Sequence, residues 1–167
     1  VELFEELEES TKNNFEGFNL VYQPQINAED YSIVSVEALL RYTSKTKGRV
    51  FPDQFIPMLE RTGLINEVGL WVVEEALRKC KEWRKFNPDF KISVNVSPKQ
   101  LEKKQTASQV IKLLSKYELP GEALILEITE STKLDEDEEV FDILTKLREA
   151  GIQIAIDDFG TGYSNLG

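Results

Sequence analysis

The chain has 167 residues, 41% of them apolar, with 30 acidic against 20 basic side chains and a net charge of −10. That is one domain's worth of sequence with enough apolar content for a core. The acidic balance excludes the basic footprint that duplex nucleic acid requires, and no apolar run approaches the ~20 residues that span a bilayer.

The acidic start, Val1-Glu-Leu-Phe-Glu-Glu-Leu-Glu-Glu, has neither the basic nor the apolar region of a signal peptide. The single cysteine, Cys80, excludes an internal disulfide and a cysteine-based zinc cluster. These features predict a cytoplasmic protein with no membrane contact from this segment. There is no histidine, which removes Ser-His-Asp and Cys-His machinery and a histidine general base. Catalysis must rest on carboxylates, amides, Lys/Arg or a bound ion. Oxygen ligands select hard cations such as Mg²⁺, Mn²⁺ or Ca²⁺.

Residues 2–14 read as an acidic helix with Leu3, Phe4 and Leu7 on one side. We assign 1–16 as an N-terminal or linker helix leading in from an upstream domain, and 17–167 as the domain proper. The first strand is 20–26 and the second 32–41, separated only by the stretch around Asn27-Ala-Glu-Asp30. A parallel crossover needs a dozen or more residues, so these two strands, if paired, are antiparallel. The rhythm then becomes β-α. Helices follow at 52–61, stopped by Gly63, and at 66–86, ended by Pro88. Strand three is 91–96, then comes helix 106–117. Strand four is 123–129, then helix 136–149, and strand five is 152–157. The acidic run 135–139 sits at a helix start, where negative side chains favour the dipole. It lacks the spacing of a calcium loop.

Side chains alternate faces along a strand. One parity carries Leu20, Tyr22, Val34, Val36, Ala38, Leu40, Ile92, Val94, Val96, Leu124, Leu126, Ile128, Ile152, Ile154 and Ile156. This face should meet the helices. The other parity carries Gln23, Gln25, Ser35, Glu37, Arg41, Ser93, Asn95, Ser97, Glu127 and Asp157, with Arg41 as its only cation. An interior filled for stability alone holds bulky branched residues. Buried charges are instead paired or ligate metal, so these acids predict one or two bound cations. The competing explanation is pairing of some of them with Lys or Arg from elsewhere in the barrel. Asp157 and Asp158 precede Gly160 and Gly162, a turn that lets backbone approach a ligand closely. Two ions ~3.5–4 Å apart can activate a water and stabilise a phosphodiester's leaving oxygen.

These segments, in order, resemble the EAL domain. They are Tyr22-Gln23-Pro24-Gln25-Ile26, Glu37-Ala38-Leu39-Leu40-Arg41, Phe55-Ile56-Pro57 with Glu60, and Ser93-Val-Asn95-Val-Ser97. Leu126-Glu127-Ile-Thr-Glu130-Ser131 and Asp157-Asp158-Phe-Gly-Thr-Gly-Tyr-Ser164 complete the set. The resemblance implies an α/β fold: a TIM-like (β/α)₈ barrel of EAL type with an antiparallel first strand, of which only the N-terminal part is present. It implies a bacterial second-messenger enzyme that opens cyclic di-GMP to linear pGpG with Mg²⁺ or Mn²⁺ at a two-ion site. Glu37, Asn95, Glu127 and Asp157 are then ligands of the first ion, and Asp157 and Asp158 of the second. Arg41 and Gln23 contact substrate near a phosphate. Glu130 steadies the loop after strand five.

The resemblance further implies a strand-six lysine and a late glutamate that no residue here matches. The expectation is that the chain alone is inactive and that its exposed strand edge pairs, as in a homodimer. An upstream cyclase or sensor domain is the expected neighbour. Two other readings stay open. One is an EAL-like module that binds cyclic di-GMP or a protein without catalysis. The other is an unrelated Mg²⁺ barrel, which leaves Asp157-Asp158 and its turn unexplained.

Overall fold

The structure is a computed structural model that describes residues 2–129 and 137–156. Its elements are α1 (Leu3–Lys12), β1 (Phe18–Ile26), β2 (Ile33–Ser44), β3 (Gly48–Val50), α2 (Pro52–Thr62) and α3 (Ile65–Trp83), then β4 (Lys91–Asn95), α4 (Thr106–Lys116), β5 (Leu124–Ile128), α5 (Glu138–Glu149) and β6 (Gln153–Ile156). The strands form one sheet in the order β1-β2-β4-β5-β6, with β3 paired to the end of β2.

β1 and β2 are antiparallel, as the short connection between them demands. In that turn Asn27 Oδ1 accepts from Glu29 N at 2.8 Å and Asp30 Oδ1 from Ser32 N at 3.0 Å. Tyr31 takes a left-handed φ of 59°. From β2 onward every crossover carries a helix and the pairs β2–β4, β4–β5 and β5–β6 are parallel. This is the start of an α/β barrel whose first strand, like the short β3, runs against the rest.

The helix boundaries have local causes. Pro52 opens α2, where a missing N–H costs nothing. Gly63 closes it at φ 82°, a conformation that favours glycine. Asp137 caps α5 by accepting from the Glu139 and Val140 amides, so the described part of the acidic run serves a helix start. α3 stops at Trp83, before Pro88 is reached.

The core lies between the sheet and its helices. Ile92, Val94, Leu124, Leu126, Ile128 and Ile152 bury their side chains there against Leu59, Leu77, Ala107, Val110 and Leu147. Each buried aliphatic side chain contributes about 1.5–3 kcal/mol relative to exposure. The expected apolar face is therefore present, with two exceptions. Val34 is 44% exposed and Ile156 is 51% exposed. Val34 lies at the start of β2 beside the exposed hairpin turn, and Ile156 ends β6, the last strand of the sheet among the described residues.

α1 is packed onto this core. Leu3 and Leu7 are buried, whereas Phe4 is partly exposed. The buried Glu6 carboxylate accepts from Ser44 Oγ at 2.8 Å and from Thr46 Oγ1 at 3.2 Å. The Ser44 bond, chiefly, holds its pKa below the ordinary carboxylate value. Cys80 is fully buried, and desolvation pushes its thiol up to about 11. No helix among the described residues is long and apolar enough to cross a membrane.

Candidate active site

The opposite face of the same strands carries the polar residues. Register aligns Gln23 of β1 with Glu37 of β2, Glu37 with Ser93 of β4, and Asn95 with Glu127 of β5. Because aligned residues share a face, Gln23, Glu37, Asn95 and Glu127 form two adjacent rows across four strands.

Glu37 is the anchor of this arrangement. Its side chain is 2% exposed. Asn95 Nδ2 donates to Glu37 Oε2 at 3.0 Å. No basic side chain pairs with the Glu37 carboxylate among the described residues. A buried carboxylate with one neutral hydrogen bond is under-compensated. The Asn95 amide, having spent its Nδ2 on Glu37, offers Oδ1 as a further acceptor. An oxygen donor set of Glu37, Asn95 and Glu127 is the kind that suits a hard divalent cation and disfavours a soft one.

Arg41 lies two rows further toward the carboxyl end of β2. It is half-buried, and its Nη1 donates to the Leu40 carbonyl at 2.9 Å. Among the described residues it has no carboxylate partner. A cleft of about 260 Å³ opens at this end of the sheet, where Arg41, Asn95 and Thr129 meet Pro52, Ile56 and Glu60 of α2. A ligand cleft at the carboxyl ends of strands is where an α/β barrel builds its sites.

The turn after β4 is pinned into place. Ser97 Oγ donates to Glu60 Oε2 at 2.6 Å, and Ser97 N donates to the buried Gln100 Oε1 at 2.9 Å. Gln100 is seated against α3 at Gly69, where a Cβ would come within 2.1 Å of the Gln100 amide nitrogen. No larger residue fits there without moving Gln100. Ser97 had a sequence signal, since it shares the parity of Ser93 and Asn95. Gln100 had none, because its burial depends on an absent side chain 31 positions upstream at Gly69.

Glu37, Asn95 and Glu127 therefore come together as expected, with Gln23 beside Glu37 and Arg41 above. Glu130, Asp157 and Asp158 lie outside the described residues. No group of three or more His, Cys, Asp or Glu side chains gathers among the described residues. Arg41 is not the only cation on this face. Lys91 opens β4 in register with Ser35 and shares the parity of Asn95. It sits at the amino end of the strand, one row below Glu37.

A family model described as "EAL domain" matches residues 5–167. The chain belongs to the EAL-domain family. It is similar to the oxygen sensor protein DosP of Escherichia coli, 40% identical over 161 residues, which cover 96% of this chain and 20% of DosP. It is also similar to the cyclic di-GMP phosphodiesterase PA2567 of Pseudomonas aeruginosa, 38% identical over 150 residues, 90% of this chain and 26% of that protein. The chain thus spans about a fifth to a quarter of these relatives' lengths. Among solved structures, the PaMucR phosphodiesterase in complex with c-di-GMP matches with a TM-score of 0.87 at 37% identity. The match covers 99% of this chain and 67% of that one. The TIM-like fold with its reversed first strand is that of the EAL domain.

Proposed function

We propose that this EAL domain hydrolyses cyclic di-GMP to linear pGpG with Mg²⁺ or Mn²⁺. The observation that carries the reading is the buried, under-compensated Glu37 carboxylate bonded to Asn95 on the face that also presents Gln23, Glu127 and Arg41. Family membership and the named activity of PA2567 support the substrate.

In this reading Glu37, Asn95 and Glu127 hold a first ion together with Asp157, and Asp158 joins Asp157 at a second. When bound, such ions lower the pKa of a shared water and offset charge on the phosphoryl group under attack. The chain's own side chains do the rest. Asn95 fixes the Glu37 carboxylate and keeps Oδ1 turned away from that bond. Arg41 presents a planar fork of donors that suits a phosphate oxygen. Gln23, directly across from Glu37, offers an amide to the same phosphate. Gln100 and Glu60 hold Ser97, so the turn that follows Asn95 keeps its shape. Glu130 is assigned the support of the loop that follows Asp158.

Turnover is proposed to need barrel strands beyond this stretch, which spans two thirds of the PaMucR chain it matches. A sensor or cyclase domain upstream and pairing of two copies belong to the same proposal. The test is to incubate the full-length protein with cyclic di-GMP and Mn²⁺, with and without EDTA, and to measure pGpG. Product that EDTA abolishes is expected; no product at any ion concentration would overturn the reading.

A further inference from the structure

The short strand β3 and the residue after it carry two exposed side chains, Arg49 and Phe51, beside the end of β2. The strand pairs with the end of β2 at Tyr42–Val50, Thr43–Arg49 and Ser44–Gly48. Directly opposed residues share a face. Tyr42 and Val50 are buried toward the helices. Thr43 and Arg49 therefore emerge on the other side, that of Glu37 and Arg41, and both are exposed. Phe51 is extended, at φ −80° and ψ 150°, so the alternation runs one residue further and Phe51 follows Arg49 onto this face. It is 60% exposed, and its neighbour Pro52 lines the cleft together with Arg41.

Arg49 is the diagonal cross-strand neighbour of Arg41, a spacing of ~7–8 Å. Neither arginine has a carboxylate partner among the described residues. The lysines of the same hairpin behave differently: Lys45 pairs with Glu16 at 2.9 Å and Lys47 with Glu6 at 3.7 Å. Glu16 and Glu6 are thus taken up by the lysines, and Glu60, which lines the cleft with Arg41, is held by Ser97, so the two guanidinium groups keep no carboxylate partner among the described residues. A guanidinium pair flanked by an exposed aromatic ring matches the chemistry of a nucleotide carrying two phosphates and two bases. Arginine meets phosphate through directed donors. Aromatic rings stack on bases regardless of base identity.

We propose that β3 and its extension form a substrate-binding lip, in which Arg49 contacts the phosphate not held by Arg41 and Phe51 stacks on a base. The proposal rests on the phosphodiesterase reading above. Arg49 and Phe51 act on binding and touch none of the reacting atoms.

The test uses the full-length protein and steady-state hydrolysis of cyclic di-GMP by wild type, Arg49→Gln, Phe51→Ala and Arg41→Ala, at low and high KCl. Both lip side chains are exposed, so their replacement leaves the core intact. Expected is a KM raised about fivefold or more by Phe51→Ala, the lower end for loss of one stacked base. Arg49→Gln should raise KM comparably at low salt and less at high salt, because an exposed charge is screened. In both variants kcat should move much less than KM, whereas Arg41→Ala should lower kcat. A KM within twofold of wild type for both lip variants, with Arg41→Ala impaired, would overturn the lip and leave the enzyme reading intact. A wild type that turns over no cyclic di-GMP would overturn both.

Discussion

The two faces of one sheet are built from the same strands and do opposite work. Ile92, Val94, Leu126 and Ile128 turn toward the helices and are excluded from water. Ser93, Asn95 and Glu127, which alternate with them, turn toward the polar rows with Gln23 and Glu37. The middle of the first face is covered by this chain's own helices. The second face is under-compensated: the buried Glu37 carboxylate has one amide donor and no basic partner among the described residues. A stability face and a site face are thus distinguishable by what each leaves uncompensated. Substitutions on the two should separate stability from activity.

The largest expected effect is on the helix side. Leu126→Ala should lower unfolding stability by about 2–5 kcal/mol, the usual cost of a buried leucine cavity, as measured by urea denaturation. A loss under 1 kcal/mol would mean that the core is not packed as described. On the site side, Glu37→Gln should reduce kcat by at least about a hundredfold, the scale of losing one group that stabilises transition-state charge. In metal-free buffer the same variant should be more stable than wild type by about 1 kcal/mol, because an under-compensated buried charge is removed. Equal losses of stability and activity in Glu37→Gln would erase the distinction between the faces.

Asn95→Ala should lower activity roughly 10–100-fold, the range for residues that orient a ligating group, seen in kcat/KM at saturating ion. Unchanged kcat/KM would remove Asn95 from the site. The smallest effect concerns Cys80. Its thiol is buried and its pKa is pushed up to about 11, so the reactive thiolate is scarce near neutrality. Iodoacetamide at pH 8 should label it only in urea-unfolded protein. Rapid labelling of the native protein would show that the helix face is open there.

Much of this division was legible in the chain. Alternation in residues 92–97 and 124–129 separates the two faces without any structure, and the short stretch between the first two strands forces them antiparallel. The EAL-type motif residues marked Glu37, Asn95 and Glu127, which the register brings into adjacent rows. Other features were not legible for physical reasons. β3 spans only Gly48–Val50, too short to show a period, and its pairing depends on the end of β2. That pairing is what sets Arg49 opposite Thr43 and diagonal to Arg41. Lys91, by contrast, was legible: it opens the predicted strand 91–96 with the parity of Asn95. Val34 and Ile156 have the apolar parity, yet strand ends escape the cover that the middle receives. Gln100 is buried because Gly69 lacks a side chain, a pairing between distant positions that no local pattern records.

In the proposed reading the inward carboxylates are compensated by divalent cations. The direct measurement is the thermal unfolding midpoint of the full-length protein as Mn²⁺ is titrated, for wild type and for Glu37→Gln. A ligand that binds only the folded state raises stability by RT ln(1 + [L]/Kd). The midpoint should climb with Mn²⁺ in wild type and climb far less in Glu37→Gln. A wild-type midpoint indifferent to Mn²⁺, or an identical climb in the variant, would contradict that reading.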